Sequence, residues 1–366
     1  MTPLRLITFG EVMIRLAPED FMRMRQVVPG RLESTFGGGE LNVAVSAAVQ
    51  GMRSAFLTAL PDNVLTDALE QECGKLGVET DLIDRVEQGR FGIYFVETGA
   101  NQRGGTVTYD REGSSVALMP ADKYNWEQAF DGAGWFHITG ITPAISEVAA
   151  EAALAAVQNA KERGLTVSCD LNFRKKLWKW KEGISTVDLA RETMRSLMPY
   201  IDVVIANEED ADLCLGIQAT HTDVDAGELN VDAYRQVAAT IVEQFPNVQQ
   251  VAITLRESIS ASHNNWGAMF YDAESKQAHC APLDADGRYS PYEIHNIVDR
   301  VGAGDSFAAG LIVALHDPAL SSPETAIRYA VAASCLKHSI KGDFNYATRP
   351  EIEALMHGSG TGRVQR

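Results

Sequence analysis

The sequence predicts an α/β fold: a mostly parallel central sheet with helices on both faces, plus a small β-sheet lid. Three observations carry that expectation. Short β-rich runs alternate with helical ones, the rhythm of a parallel sheet whose crossovers are helices. Two segments break the rhythm with β patterning of their own. The 366-residue length suits one large α/β unit with an appendage as well as two domains near the usual ~150 residues.

The elements follow in order. Residues 4–9 form the first expected strand; Gly10 and Glu11 interrupt the apolar run too early for a secretory leader. Residues 13–36 are long and lack helical periodicity, so they read as β-structure outside the main layer. A helix over 40–50, a strand over 55–60 and a helix over 62–76 come next. Residues 90–115 alternate in Gly92-Ile93-Tyr94-Phe95-Val96 and Thr106-Val107-Thr108-Tyr109, which makes them the second piece of the lid. Strands are then expected over 135–139, 166–169, 203–206, 251–255 and 294–298. Helices are expected over 146–163, 187–198, 231–245, 305–315 and 323–339. The large unit thus comprises 1–12, 37–89 and 116–357, the lid comprises 13–36 and 90–115, and 358–366 is a Gly- and Ser-rich flexible tail.

Composition limits the function classes. Asp and Glu total 49 against 32 Lys and Arg, a formal net charge of −17. A field of that sign repels nucleic acid and anionic membranes, so neither is an expected partner. No stretch approaches the ~20 apolar residues of a membrane span. Cys73, Cys169, Cys214, Cys280 and Cys335 are scattered, odd in number and never paired as C-x-x-C, which points away from a disulfide framework or zinc site and toward a reducing cytoplasm. There is no G-x-x-x-x-G-K-[ST], H-E-x-x-H or G-x-S-x-G, so P-loop kinase, zinc hydrolase and serine hydrolase readings lack support.

The most informative string is Asp299-Arg300-Val301-Gly302-Ala303-Gly304-Asp305-Ser306-Phe307-Ala308-Ala309-Gly310, between an expected strand and an apolar helix. Gly302 and Gly304 permit a tight turn and close approach of a ligand to the backbone. Free N–H groups at a helix start form an anion site. Asp305, beside them, can take a proton from a hydroxyl while the amides hold the charge of a phosphoryl group. The plain alternative is a glycine turn with an Asp cap. Nearer the N-terminus, Phe36-Gly37-Gly38-Gly39-Glu40-Leu41-Asn42-Val43-Ala44 places three glycines before a small-residue helix.

The two strings resemble the second and first signatures of the ribokinase-like (PfkB) carbohydrate kinases, in the right order and some 260 residues apart. The resemblance implies a ribokinase-like fold. It makes Gly302, Ala303 and Gly304 the anion hole and Asp305 the catalytic base, with Gly38 and Asn42 holding the sugar. Arg300 stands where the family usually has Thr. Asn207-Glu208-Glu209-Asp210 matches the family's Asn-x-x-Glu except that Asp210 is shorter; the resemblance assigns it Mg²⁺ through water. Thr254-Leu255-Arg256 precedes the nucleotide loop, which reads as longer than usual and has Arg256 where the family has glycine.

Three further strings resemble the 2-keto-3-deoxygluconate kinase branch. They are Tyr109-Asp110-Arg111-Glu112-Gly113-Ser114, Thr139-Gly140-Ile141-Thr142-Pro143-Ala144 and Asp170-Leu171-Asn172-Phe173-Arg174-Lys175-Lys176-Leu177-Trp178. The insert around 218–230 is atypical. The branch implies a sugar site of Gly38, Tyr94, Tyr109, Arg111, Ile141 and Arg174, with Asp343 reaching a substrate hydroxyl. Asn172 and Asn207 would lie near the phosphates, with Thr254 and Arg256 on the nucleotide. Arginine pairs bidentately with carboxylates, so Arg111 and Arg174 suit an acid sugar; a solvated basic turn is the bland reading of Arg174. The expected partners are a sugar acid and ATP with Mg²⁺, in a homo-oligomer; K⁺ near Asp299 is left open. Kinases for 2-keto-3-deoxygalactonate, fructose or ribose, and a non-catalytic sugar-sensing protein, remain alternatives.

Overall fold

The computed structural model describes residues 5–207, 209–218 and 231–358. The expected strand start at Leu4, Glu208, the insert from 219 to 230 and the tail beyond Gly358 lie outside the described residues. The described strands, in chain order, are β1 (Arg5–Phe9), β2 (Met13–Ala17), β3 (Glu33–Gly37), β4 (Ser54–Pro61), β5 (Val78–Glu79), β6 (Ile83–Val86), β7 (Gly92–Glu97) and β8 (Thr106–Asp110). They continue with β9 (Ala133–Thr139), β10 (Thr166–Asp170), β11 (Val203–Ala206), β12 (Gln250–Ser260), β13 (His263–Asp272), β14 (Gln277–Ala281) and β15 (Tyr292–Ile294).

The large sheet has 11 strands in the order β14-β13-β12-β11-β10-β9-β1-β4-β5, with β15 beside β13 and β6 beside β4. From β12 to β5 every pairing is parallel; β13, β14 and β15 are antiparallel. Parallel strands are covered on both faces, which is why they read as unbroken apolar runs: β4 and β11 are buried throughout. Neighbouring residues serve opposite layers. Val204 and Ala206 pack with helices Glu147–Glu162, Thr186–Leu197 and Val231–Gln244. Val203 and Ile205 pack with Gly39–Val49, Ala303–His316 and Pro323–Lys337. The helix starts are fixed by side-chain caps: the Ser146 hydroxyl accepts from the Ala149 amide at 3.0 Å, and Ser185 serves Asp188 in the same way at 3.1 Å.

The two segments that break the βα rhythm meet in a second sheet of four strands, β3-β2-β7-β8. Alternating burial along β2 and β7 shows one covered and one open face. The loop after β7 reaches the turn between β12 and β13. There the Asn101 amide donates to Ser262 Oγ at 2.9 Å, and the Ala261 amide donates to the Asn101 carbonyl at 2.7 Å.

Two expectations are corrected. Residues 294–298 do not form a strand leading into the glycine turn. The strand is β15, and the chain beyond it makes single bonds instead of a ladder, Ile297 N to Ser262 O and Val298 N to His338 O. The segment after Thr254 is no long loop: β12 runs on to Ser260 and returns directly as β13, a hairpin. All five cysteines are free. Among the described residues no helix is long and apolar enough to cross a membrane.

Candidate active site

Parallel strands end on one edge of their sheet, and ligand-binding turns gather there. The ends of β9, β10, β11 and the middle of β12, the second sheet and the start of helix Ala303–His316 enclose a cleft of about 570 Å³. Every site residue that the sequence singled out lines it. Gly38 and Asn42 come from the start of helix Gly39–Val49, Tyr94 and Tyr109 from β7 and β8, Arg111 from just after β8, and Ile141 from just after β9. Asn172 and Arg174 follow β10, Asn207 and Asp210 follow β11, Thr254 and Arg256 lie on β12, and Asp343 enters from the C-terminal side.

Gly302 caps the helix at φ +83°, a left-handed conformation that glycine adopts without strain. A Cβ there would lie 2.1 Å from the Asp343 carbonyl oxygen. The turn therefore needs glycine for shape and space alike. The helix begins at Ala303, two residues earlier than expected, so the amides of its first turn face the cleft beside Asp305.

Burial pushes the Asp305 carboxyl up to about 6, partly opposed by a hydrogen bond from Asn42 Nδ2 at 2.7 Å; Asp343 raises it further, while Arg174 and Lys337 lower it. A carboxyl in that range suits a base working near neutral pH. Asn42, expected on the sugar, lines the cleft and gives one amide hydrogen to Asp305. Asp170, which the sequence placed only within a motif, is a second buried carboxyl; burial and then Asp210 and Asp305 hold it well above the usual range. Asp210 accepts from the Phe173 amide at 3.0 Å and the Asn207 amide at 3.1 Å, tying together the ends of β10 and β11. Among the described residues no group of three His, Cys, Asp or Glu could hold a metal directly.

The two arginines differ. Arg111 is buried, ion-paired to Glu11 and stacked 5.4 Å from the Tyr109 ring centre. Arg174 is exposed to the cleft; its Nη1 donates to the Phe173 carbonyl at 3.2 Å, and among the described residues no carboxylate forms an ion pair with it. Asp343 accepts from Arg15 Nη1 at 2.7 Å and from the Tyr94 hydroxyl at 2.6 Å, and Arg15 Nη2 reaches Asp299 at 2.5 Å. Lys337, fully buried nearby, donates to the Ile340 carbonyl at 3.0 Å.

Sequence reasoning missed Glu11, Arg15, Lys337 and the role of Glu40. One Glu40 oxygen accepts from the Thr139 amide and hydroxyl and from the Thr142 hydroxyl, at 2.7 to 3.1 Å, while burial pushes the group up to about 7. The available signal was a charged residue inside an otherwise apolar or glycine run. Thr139 uses only its hydroxyl and amide there, which explains why it can stand for Ser. Arg300 also finds its reason: its guanidinium donates to the carbonyls of Ser260 and Ala261, pinning the hairpin turn.

A family model for the pfkB family of carbohydrate kinases matches residues 4–345. The chain is 41% identical to the crystal structure of a 2-dehydro-3-deoxygluconokinase from Thermotoga maritima, with a TM-score of 0.86 over 97% of this chain and 99% of that one. It is 31% identical to a 2-dehydro-3-deoxygalactonokinase from Haloferax volcanii over 98% of each chain. It is 24% identical to a 2-dehydro-3-deoxygluconokinase from Bacillus subtilis, over 97% of this chain and 96% of that one.

Proposed function

Because the chain belongs to the pfkB family of carbohydrate kinases, we propose that it transfers the γ-phosphoryl group of ATP to the 6-hydroxyl of 2-keto-3-deoxygluconate. The observation that carries this reading is one cleft holding both Asp305 at the glycine turn and Arg174, which has no ion-pair partner among the described residues. Arg174 takes the sugar carboxylate, with Arg111 and the Tyr94 and Tyr109 rings setting the wall behind it. Gly38 and Ile141 shape the floor, and Asp343 faces the sugar hydroxyls. The second sheet acts as a lid that keeps water, a competing acceptor, from the reaction.

The acceptor oxygen forms its bond to the γ-phosphorus as the bond to the bridging oxygen breaks and ADP leaves. Asp305 takes the hydroxyl proton, and the amides of the Gly302, Ala303 and Gly304 turn hold the charge on the moving group. Asn172, Asn207, Thr254 and Arg256 face the donor. When bound with ATP, Mg²⁺ offsets phosphate charge; Asp210 and Asp170 suit a contact through water, since Asp210 already accepts two amides. At Asp299, Arg15 and Lys337 supply positive charge, so the reading gives K⁺ no part in the reaction.

A second reading, 2-keto-3-deoxygalactonate as acceptor, is favoured by the Haloferax relative. ADP release measured over both acids, fructose, ribose and a nucleoside tests all of these. Turnover should be confined to the ketodeoxy acids and highest for the gluconate. Preference for a neutral sugar would overturn the assignment, and no ADP from any acceptor would favour a non-catalytic sugar sensor.

A further inference from the structure

Arg15 is a charged residue where the strand pattern asks for an apolar one. It lies on β2 between Met13 and Ala17, on the covered face of the second sheet, and is 3% exposed. Burying a charge is costly unless the group is paired and hydrogen-bonded, so its partners show what it is for. They lie in the large unit and not in the second sheet. Nη2 donates to Asp299 Oδ2 at 2.5 Å, and Nη1 donates to Asp343 Oδ1 at 2.7 Å. Both aspartates are buried as well. Arg15 and Asp299 stand behind the cleft wall instead of lining it.

The two carboxylates hold the glycine turn from two directions. Asp299 Oδ1 accepts from the Val301 amide at 3.1 Å, one residue before Gly302. Asp299 Oδ2 accepts from the Gly342 amide at 3.1 Å, so the same side chain fixes the loop that leads to Asp343. The Asp343 carbonyl packs directly on Gly302. Tyr94, level with Arg15 across the β2–β7 pairing, donates its hydroxyl to Asp343 Oδ2 at 2.6 Å. A Cβ at Gly37 would collide with that oxygen and with the Tyr94 hydroxyl, so β3 ends on glycine to leave them room. Lys337, buried behind the same turn, gives its ammonium to the Ile340 carbonyl at 3.0 Å and leaves the span between the carboxylates to Arg15.

We propose that Arg15 is a positioning residue for phosphoryl transfer: reaching out of the second sheet, its guanidinium sets the distance between the Asp299 and Asp343 loops and so fixes the amides of the glycine turn. The inference rests on the kinase reading. Its consequence is that the second sheet does more than exclude water, because displacing β2 withdraws the guanidinium from behind the turn. The position calls for arginine. A planar fork offers separate N–H groups to two carboxylates, whereas lysine offers one compact charge.

Steady-state kinetics of Arg15→Lys test this, with whichever acceptor of the panel above gives the parent its highest turnover. Lysine keeps the positive charge between the carboxylates but not the span. A misplacement of about 1 Å at a reacting centre can cost ~10²-fold, so kcat should fall by about 10-fold or more, with the KM of ATP and of the acceptor within about threefold of the parent. A merely structural role would lower the thermal midpoint and leave the kcat of the folded variant unchanged. A role confined to holding the sugar would raise the acceptor KM and leave kcat unchanged. Either result would overturn the proposal. Should Arg15→Lys fail to fold, Arg15→Gln, which still offers N–H groups, is read by the same criteria. A parent that turns over no acceptor would overturn the kinase reading and this inference together, whereas an active parent matched in kcat by the variant overturns the inference alone.

Discussion

Asn42 Nδ2 donates to Asp305 Oδ2 at 2.7 Å, joining residues 263 apart in sequence. The bond favours the charged carboxylate and works against the burial that pushes Asp305 up to about 6. Asn42→Ala removes that support, so the Asp305 carboxyl should rise. The base acts only when deprotonated, and kcat falls as pH drops through its pKa. The acidic limb of the kcat–pH profile should therefore move to higher pH than in the parent. An unmoved limb would show that Asp305 does not control it.

Asp305→Asn should lower kcat by about 10²–10⁴. It should also stabilise the fold. A carboxyl raised from its ordinary 3.8 to about 6 favours the native state below the lower value, and that contribution is lost as pH rises through the upper one. Above pH 6 the native state carries an ionised, half-buried group, whereas asparagine carries none. In urea unfolding the variant should be more stable than the parent near pH 7.5, with the gap closing toward pH 4.

The two arginines of the cleft should separate cleanly. Arg174→Ala should raise the KM of the sugar acid about 10–100-fold, as for a lost charged hydrogen bond. Its effect on stability should be much smaller than that of Arg111, because Arg174 makes no ion pair among the described residues and acts on the cleft carboxylates only at longer range. Arg111→Ala should cost about 3–5 kcal/mol in denaturant unfolding, because it strands the buried Glu11 carboxylate. A rise in the KM of ATP on removing Arg174 would place that residue with the donor.

Gly302 and Gly304 should also part company. Gly302→Ala forces a Cβ into the Asp343 carbonyl at a left-handed φ, so it should lower both stability and kcat. At Gly304 a Cβ meets nothing within 4 Å, and the backbone is ordinary helix. Gly304→Ala should fold at least as stably as the parent and still lose turnover, because the added methyl enters the space kept for phosphate. Equal thermal midpoints and equal rates for the two variants would contradict this.

Much of this was legible in the sequence because short-range physics wrote it there. The apolar runs of β4 and β11 and the glycine turn at Gly302 each depend on neighbours a few residues away. The motif residues also turned up in one cleft, since parallel strands deliver their ends to one edge. What stayed hidden depends on distant partners. Arg15 gains meaning only from Asp299 and Asp343, 284 and 328 residues on. Glu11 and Arg111 likewise meet across 100 residues. The hairpin after Thr254 looked like a loop because its polar residues face the cleft and solvent, so no apolar alternation marked it.

The contact of Asn101 with Ala261 and Ser262 changes what kind of roof the cleft has. Tethered on one side only, the second sheet would swing like a flap. Joined at its far edge to the hairpin, it spans the cleft as an arch with a foot on each bank. On the proposed kinase reading, sugar and donor share a threshold, and lifting either foot would loosen the passage for both. The foot on the hairpin includes two hydrogen bonds, each worth about 1 kcal/mol net, a modest hold for a span that must open to admit its ligands.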